Sequence, residues 1–541
     1  MKLEPKEKLF LFCICTAIMV ITSLPYFVNS IKTPQDRVYT GIHHLTPGDV
    51  SVYYSFIEQG RQNQLVSRNL YSSEAQTPTV FTPQWFLLGQ LANLFNFPTV
   101  LIFQLARIGF GALFIYLIYK FIAGVINSPR VRMFSVGVLM FITGFGVFIP
   151  IKNLGWAIDH IAFPVDMWVP ESSPFLMLYF NPLFLMALCL LLAALLFFEK
   201  SLEKHDLNYA WLVAGLVLLL AIIHPYDVFL FFGILAVWLA IKWAVDKSLL
   251  KQKFFIKSAF FGLWPGILAM GITRLIFQSQ PALQGWLKQN NTPSPAVWWY
   301  LPAYLLPIIF AIFGLSKVIK IKTNRAQIIL AWAVIVPILL YLPYFPYQRR
   351  MQEGWLIPLG VFAAFGLVRV INYFKTRITN PNIRMSLVSL GLTLGLMLTL
   401  MTSIYHLGKD LVFSWAYKEP VTISKNIIAG YEWFKKNSSL DAVILARPFD
   451  SNRLPGWAGR TVYYGHGDLT AASKTKAKLV NDFFGQKENF DYPGFLKEGR
   501  INYLLLRKAD DEVIIYLKQK GILQEAVYQN AEVLIFKTKY N

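Results

Sequence analysis

Apolar stretches long enough to cross a lipid bilayer recur along most of this chain. A membrane-spanning α-helix needs roughly 20 predominantly apolar residues, and a hydropathy scan finds about eleven such stretches. They lie near residues 9–30, 99–126, 133–150, 174–198, 209–225, 227–245, 257–276, 299–319, 327–345, 354–371 and 385–404. Of the 541 residues, 55% are hydrophobic and only 15% are charged. These features predict an α-helical polytopic membrane protein.

Basic residues in alternate short loops predict how these helices are oriented. Lys and Arg concentrate in short cytoplasmic loops. Every second short loop here is basic, and these loops contain Arg130 and Arg132; Lys200 and Lys204; Lys247, Lys251, Lys253 and Lys257; Lys317, Lys320, Lys322 and Arg325; Lys375, Arg377 and Arg384. We therefore predict a cytoplasmic N-terminus and an extracytoplasmic face formed by the longer loops. The net charge of +21 is interpreted as a topology signal, because no basic stripe with interleaved aromatic residues indicates nucleic-acid binding.

The predicted transmembrane domain covers residues 1–404, and residues 31–98 form its first extracytoplasmic loop. The first apolar stretch lacks a small-residue cleavage site, so we interpret it as an uncleaved anchor rather than a signal peptide. Within the first loop, Val80 to Phe97 is apolar but short and is bracketed by Pro83 and Pro98. This segment is predicted to be an interfacial or re-entrant helix.

Residues 405–541 differ from the rest of the chain in their pattern. Short apolar runs typical of strands are AVILA, RTVYYG, NYLLLR and EVLIFK. They alternate with helix-like stretches, which are SKNIIAGYEWFKK, KTKAKLVNDFF and DEVIIYLKQKG. This alternation predicts a small α/β domain, placed outside the membrane by the loop pattern.

Sequence fingerprints of soluble enzymes are missing from the chain. It has no Walker A motif, no Gly-rich dinucleotide loop, no HExxH and no GxSxG. Its three cysteines, Cys13, Cys15 and Cys189, lie in apolar runs without metal-ligand spacing. Nucleotide-driven chemistry on the cytoplasmic side is therefore not predicted.

Asp49 has the most suggestive setting among the predicted extracytoplasmic acids. It follows a Pro-Gly turn and precedes a segment that contains Tyr53 and Tyr54. A turn followed by a Tyr-rich helix makes Asp49 a candidate N-cap, which would accept backbone N–H bonds. It is also a candidate general base, and both roles are compatible because a capping carboxylate is held rigidly.

Further candidate residues lie in three other predicted outer loops. Asp159, His160 and Asp166 accompany Trp156 and Trp168, so this loop can bind a divalent cation or a sugar ring, or form part of an aromatic belt.

His224 and Asp227 form an outer turn, where ionisable groups at membrane depth indicate a function. Arg349 and Arg350 suit either a phosphate group or lipid headgroups. In the tail, His466 and Asp468 lie in GHGDLT, which either forms an ordinary turn or lies over the active site.

In architecture, nearly the whole chain resembles the GT-C superfamily of membrane glycosyltransferases. PGDVSVYYSFIEQG is similar to the acidic motif of the first loop in that class, and YEWFKK, AVILARPF, GRTVYYGHGDLT and INYLLLR are similar to the tail of bacterial members. The resemblance implies transfer of a sugar from a polyprenyl-phosphate donor to a hydroxyl of a lipid, glycan or protein on the outer face.

The resemblance also implies roles for particular residues. Asp49 would act as the catalytic base of an inverting transfer, and Arg349 and Arg350 would stabilise the leaving phosphate. The remaining predicted substrate-binding residues are Tyr53, Tyr54, Asp159, His160, Asp166, His224 and Asp227.

No set of metal ligands is assigned from the sequence. Asp49 has Gly48 and Val50 as neighbours instead of a second acid, and Asp159 and Asp166 form no DxD motif. A divalent cation is left open as a cofactor. The alternatives to a glycosyltransferase are a transporter or flippase and a polymerase or ligase of lipid-linked glycans.

Overall fold

The computed structural model describes residues 3–149, 163–245, 253–415 and 419–540. Its α-helices are α1 (Pro5–Lys32), α2 (Pro47–Arg61), α3 (Pro83–Leu94), α4 (Thr99–Ile122), α5 (Pro129–Phe141), α6 (Pro174–Phe180), α7 (Pro182–Lys204), α8 (Leu207–Ile223), α9 (Tyr226–Val245), α10 (Lys253–Ser279), α11 (Pro281–Gln289), α12 (Leu301–Ile319), α13 (Asn324–Leu340), α14 (Leu356–Arg377), α15 (Pro381–Trp415), α16 (Lys425–Asn437), α17 (Pro448–Ala458), α18 (Ser473–Phe484), α19 (Tyr492–Glu498) and α20 (Asp511–Gln519). Its β-strands are β1 (Arg37–Tyr39), β2 (Val66–Ser67), β3 (Val80–Phe81), β4 (Thr422–Ser424), β5 (Val443–Leu445), β6 (Thr461–Val462), β7 (Ile501–Arg507), β8 (Ala526–Gln529) and β9 (Val533–Lys537). Short 3-10 helices include Val165–Met167, Pro170–Ser172 and Gln348–Gln352.

Within these described ranges, eight helices are long and apolar enough to cross a membrane. They are Pro5–Lys32, Thr99–Ile122, Pro182–Lys204, Tyr226–Ala244, Phe254–Ser279, Leu301–Ile319, Gln348–Arg377 and Pro381–Val412. Two more predicted spans, α8 and α13, are apolar helices of 17 residues. The span predicted near 133–150 overlaps α5, which has 13 residues, begins at Pro129 and ends at Phe141. The predicted class, a multi-pass helical membrane protein with a small sheet domain near its C-terminus, is confirmed.

The chain divides into two compact units. One comprises Met1–Pro25, Leu105–Gly271 and Thr292–Lys409, and we call it the helical unit. The other comprises Tyr26–Gln104, Ile272–Asn291 and Asp410–Asn541, and we call it the mixed unit. The first loop and the tail, which the sequence assigned to separate domains, thus share the mixed unit.

In the helical unit, three of the five basic loops predicted to lie on one face are joined to one another or to the N-terminal segment. Arg132 pairs with Glu7 of the N-terminal segment. Arg325 donates from Nε to Glu199 at 2.6 Å and from Nη1 to the carbonyl of Phe121 at 3.0 Å. These contacts join loops that the positive-inside pattern placed on the same side.

The alternate loops of the helical unit are also joined to one another. The backbone N–H of Thr292 donates to Pro346 at 2.8 Å, and that of Arg349 donates back to Thr292 at 3.0 Å. Arg350 contacts Glu171 at 3.2 Å, which joins the same segment to the loop before α6. These contacts agree with the predicted grouping of these particular loops, and the side of the membrane on which each group lies stays a prediction.

The mixed unit contains a five-stranded sheet in the order β6-β5-β7-β9-β8. Strand β5 is parallel to β6 and β7, whereas β9 is antiparallel to β7 and β8. The four apolar runs predicted as strands correspond to β5, β6, β7 and β9, and the three predicted helices correspond to α16, α18 and α20. A separate ladder pairs β1 of the first loop with β4 at the start of the tail, antiparallel, with Val38 opposite Ile423.

Helix α2 is the central element of the first loop. It packs against the tail helix α17, where a Cβ on Gly456 would approach Tyr54 Cβ to 2.9 Å. It also packs against α3, and Gly60 and Gly89 permit that close approach because a Cβ on either would meet backbone atoms. Helix α3 falls within the segment predicted as interfacial, and it exposes Leu87, Leu91 and Leu94.

Candidate functional site

Asp49 lies in the first turn of α2. The helix begins with Pro47, its N-cap residue is Thr46, and no side chain caps it. The interpretation of Asp49 as the N-cap is therefore wrong by three positions, because the Pro-Gly turn is the first turn of the helix itself. An acid in this turn still interacts favourably with the helix dipole. The side chain of Asp49 is 46% exposed, so a substrate can reach it.

The tail supplies a partner for Asp49. His466 Nε2 lies 3.1 Å from Asp49 Oδ1. The other ring nitrogen, Nδ1, accepts a hydrogen bond from the backbone N–H of Asp468 at 3.3 Å. Because Nδ1 is an acceptor, the neutral ring carries its proton on Nε2 and donates it to Asp49. The two residues thus form a hydrogen-bonded carboxylate–imidazole pair.

The loop that carries His466 is held by several hydrogen bonds. Thr470 Oγ1 accepts from the backbone N–H of His466 at 3.3 Å and donates to the carbonyl of Tyr71 at 2.8 Å. Gln289 of α11 donates to the carbonyls of Asp468 and Thr470 at 3.1 and 2.8 Å. These bonds fix the imidazole against the start of α2.

Tyr53 and Tyr54 pack in an aromatic cluster of the mixed unit. The ring of Tyr53 is stacked with that of Trp85, with centroids 5.1 Å apart, and Tyr54 meets Phe103 edge-on at 5.4 Å. Tyr54 is buried, and burial raises the pKa of its hydroxyl. Both tyrosines therefore support α2, and their predicted contact with substrate stays a prediction.

A second cluster of ionisable side chains lies in the helical unit. His224 Nδ1 is 3.1 Å from Asp227 Oδ2 and 3.7 Å from Glu353 Oε2. All three side chains are buried, the two carboxylates completely. Imidazole nitrogen and carboxylate oxygen are donor atoms that can hold a divalent cation. Glu353 was not among the predicted site residues, although it follows the predicted Arg349 and Arg350 closely.

Both predicted phosphate-binding arginines stack on aromatic rings. The Arg349 guanidinium lies 4.4 Å from the centroid of Trp168, and that of Arg350 lies 4.7 Å from the centroid of Tyr226. Arg350 also donates to Glu171 at 3.2 Å. Stacking holds the planar guanidinium groups in place, and phosphate binding by them stays a prediction.

The side chain of Asp166 is buried and hydrogen-bonded within the protein rather than exposed to solvent. Its Oδ2 accepts from the backbone N–H of Gly146 at 2.8 Å and from the hydroxyl of Thr402 at 2.7 Å. The side chain is completely buried, and this burial raises the pKa of the carboxyl to about 6 although the two hydrogen bonds act in the opposite direction. The substrate-binding role predicted for Asp166 stays a prediction, and Asp159 and His160 lie outside the described residues.

The structure thus brings together some predicted residues and adds two. His224 and Asp227 form one cluster, to which the structure adds Glu353. Asp49 acquires His466, whose GHGDLT stretch the sequence left open between a turn and an active-site segment. In the sequence, the only indication of a function for His466 was its place in the Gly-, His- and Asp-containing stretch GHGDLT.

Comparison with solved structures identifies the fold. The chain is similar to an Archaeoglobus fulgidus oligosaccharyltransferase tethered with an acceptor peptide. The TM-score is 0.53 at 14% identity, and the match covers 91% of this chain and 69% of the other. ArnT from Cupriavidus metallidurans bound to undecaprenyl phosphate gives a TM-score of 0.53 at 10% identity, covering 96% and 98% of the two chains. A mutant of the mycobacterial arabinofuranosyltransferase AftD gives 0.53 at 12% identity, covering 99% of this chain and 42% of the other.

No protein-family model and no curated protein matches the sequence. The three structural similarities nevertheless agree with one another, because all three are to GT-C glycosyltransferases. The chain therefore has a GT-C fold, and the resemblance in architecture that its sequence indicated is confirmed.

Proposed function

We propose that this protein is a membrane glycosyltransferase. It moves a sugar from a polyprenyl-phosphate-linked donor to a hydroxyl acceptor at the outer face of the cell membrane. Asp49 is the general base, and the N-terminus is cytoplasmic whereas the tail is extracytoplasmic.

The observation that carries the proposal is the Asp49–His466 pair. Asp49 offers a half-exposed carboxylate in the first turn of a helix, and His466 holds one of its oxygens at 3.1 Å. A general base must be ionised, within hydrogen-bond reach of the proton it takes, and rigidly positioned. The helix dipole and the imidazole N–H both favour the ionised form of Asp49.

Structural neighbours support a lipid-linked donor. ArnT was solved bound to undecaprenyl phosphate, and the oligosaccharyltransferase AglB was solved with a dolichol-phosphate and an inhibitory peptide. Both lipids contain a polyprenyl-type chain and a phosphate. We propose a donor of the same chemical class here, with a hydroxyl of a lipid, glycan or protein as acceptor.

In the proposed reaction, Asp49 takes the proton of the acceptor hydroxyl as its oxygen attacks the anomeric carbon. The bond from that carbon to the phosphate oxygen breaks, and polyprenyl phosphate leaves with the bonding electrons. Attack opposite the leaving group inverts the configuration at the anomeric carbon. Arg349 and Arg350 are the proposed groups that neutralise the charge developing on the phosphate.

The proposal predicts that the protein consumes polyprenyl-phosphate sugars. The full chain in lipid nanodiscs is incubated with a lipid extract from membranes that lack it. Mass spectrometry should show loss of one polyprenyl-phosphate-linked sugar, gain of polyprenyl phosphate, and a matching mass increase on an acceptor.

The control for this assay is the same preparation carrying Asp49→Asn. Consumption that is equal with and without the protein would contradict a transferase. Movement of the intact donor between leaflets without release of polyprenyl phosphate would instead identify a flippase.

A further inference from the structure

The His224–Asp227–Glu353 cluster contains carboxyl oxygens that lack hydrogen bonds. Neither Oε1 nor Oε2 of Glu353 has a hydrogen-bond partner among the described residues, and the same holds for Asp227 Oδ1. The exposed fraction of both side chains is 0%. A buried polar atom without a partner costs roughly 1–3 kcal/mol, and more if it is charged. Hydrogen bonds from the described side chains therefore do not stabilise these three oxygens.

A proton on Glu353 does not satisfy the cluster. A protonated carboxyl needs an acceptor for its O–H, and His224 Nδ1 lies 3.7 Å from Glu353 Oε2, beyond normal hydrogen-bond distance. His224 Nδ1 already lies within hydrogen-bond distance of Asp227 Oδ2. A proton on Glu353 could be shared with at most one neighbouring group, whereas a cation between the three groups would engage all of them.

Distances within the cluster suit a common metal ion. The ligand atoms of His224, Asp227 and Glu353 all lie within 4.8 Å of one another, and two of the separations are 3.1 and 3.7 Å. Zinc bonds of about 2.0–2.1 Å in tetrahedral geometry place neighbouring ligand atoms roughly 3.3 Å apart. The separations of 3.1 and 3.7 Å lie on either side of that value. Small shifts of the side chains would therefore bring these ligand atoms to the spacing of a tetrahedral zinc site.

We propose that His224, Asp227 and Glu353 bind a divalent transition-metal cation, with Zn²⁺ as the best fit. One imidazole and two carboxylates favour Zn²⁺ over Mg²⁺ and Ca²⁺, which prefer all-oxygen ligands. Three protein ligands leave the fourth position of a tetrahedral ion for a non-protein ligand. The proposal rests on these three side chains and does not require the proposed sugar transfer.

The elements around the cluster hold the ligands in place. His224 and Asp227 flank the Pro-Tyr turn between α8 and α9, and the backbone N–H of Asp227 donates to the carbonyl of His224 at 3.1 Å. Glu353 follows the 3-10 helix Gln348–Gln352, and its N–H donates to the carbonyl of Arg350 at 3.2 Å. Two rigid turns therefore present the three ligands towards one point.

Metal retention by the full chain tests this proposal. Purified protein in detergent is stripped with a chelator, incubated with ZnCl₂ or MgCl₂, desalted and analysed for bound metal by mass spectrometry. We expect one retained equivalent of Zn²⁺, no retained Mg²⁺, and a higher melting temperature that depends on the Zn²⁺ concentration.

Variants locate the bound ion. Glu353→Gln and Asp227→Asn keep the side-chain shape and should weaken Zn²⁺ binding by at least about tenfold, since even outer-shell changes cost 10–100-fold. Asp166→Asn is the matched control, because it changes another fully buried carboxylate of the helical unit and should retain the ion. The proposal is overturned if the wild-type protein retains no Zn²⁺, or if both ligand variants retain as much as the wild type. If either variant fails to fold, the wild-type titration and the other variant still decide.

Discussion

At the scale of single residues, Asp49 and His466 define the proposed chemistry. The two are 417 positions apart in the sequence, yet their side chains are in hydrogen-bond contact. The first helical turn and the imidazole N–H both stabilise the carboxylate form of Asp49. The hydrogen bond to His466 and the helical backbone therefore hold this carboxylate in a defined position.

Asp166 illustrates the opposite use of an acid. It is completely buried and connects the Gly146 backbone to the hydroxyl of Thr402, while its main-chain carbonyl lies 3.1 Å from His406 Nε2. Burial raises the pKa of this carboxyl from 3.8 to about 6. Asp166 therefore holds the loop before α6 in place, at the cost of burying a charge above that pH.

The raised pKa of Asp166 predicts a pH dependence of stability. Below about pH 4, the neutral carboxyl favours the folded state; this contribution is lost as the pH rises through the folded pKa of about 6, because the folded state holds the proton longer than the unfolded state. Relative to Asp166→Asn, the wild type should lose on the order of 3 kcal/mol between pH 4 and 7. Melting temperatures of both proteins across this range measure the difference. Parallel curves would contradict the role assigned to this carboxyl.

Candidate residues could be chosen from the sequence, but their partners could not. Asp49, His224 and Asp227 stand out because ionisable side chains are rare in so apolar a chain. The contact of Asp49 with His466, and that of His224 with Glu353, depend on how distant segments pack. The sequence also predicted the N-cap three residues too late. A Pro-Gly pair is common in β-turns, but Pro is equally suited to the first position of a helix, as here.

At the scale of elements, the strands that could be predicted from the sequence are mostly buried ones. Strands β5, β7 and β9 are apolar and largely buried, so their runs were recognised from the sequence. Strand β8 alternates between half-buried and exposed positions at the sheet edge, and β4 has only three residues and pairs with β1 of the first loop. Such strands are defined by partners distant in sequence, and local patterns do not reveal them.

Two glycines allow a close crossing of α12 and α14. A Cβ on Gly314 would collide with the carbonyl oxygen of Phe362, and one on Gly366 would collide with that of Phe310. Small residues permit backbones to approach in this way, and van der Waals packing then stabilises helix pairs in membranes. The crossing therefore packs α12 against α14, the helix that follows the Arg349–Arg350 segment.

We predict that Gly314→Val destabilises the protein while Gly391→Val does not. The new side chain at 314 collides with backbone, which cannot give way as a flexible side chain does, so the loss should be about 3 kcal/mol or more. Among the described residues, nothing lies within 4 Å of a Cβ on Gly391, and the expected change there is within about 0.5 kcal/mol. Melting temperatures in the same detergent compare the two variants. Equal melting temperatures would mean that the crossing is not a tight contact.

At the scale of the whole molecule, the chain combines a GT-C fold with two groups of candidate residues. The mixed unit contains Asp49 and His466, and the helical unit contains the His224–Asp227–Glu353 cluster with Arg349 and Arg350. The grouping of loops in the helical unit agrees with the positive-inside pattern, because basic loops contact one another and the alternate loops do likewise. The overall class could be predicted because hydropathy and charge in loops are local properties.

The central claim is that Asp49 is the base of a sugar transfer. The most direct test compares the wild type with Asp49→Asn for transfer from a polyprenyl-phosphate sugar, with binding of polyprenyl phosphate and the melting temperature measured alongside. Asp468→Asn, which removes a nearby acid on the same loop as His466, is the matched control. We expect a fall in kcat of about 10²–10⁴-fold for Asp49→Asn alone, with lipid binding and stability preserved. Full activity in Asp49→Asn would contradict it.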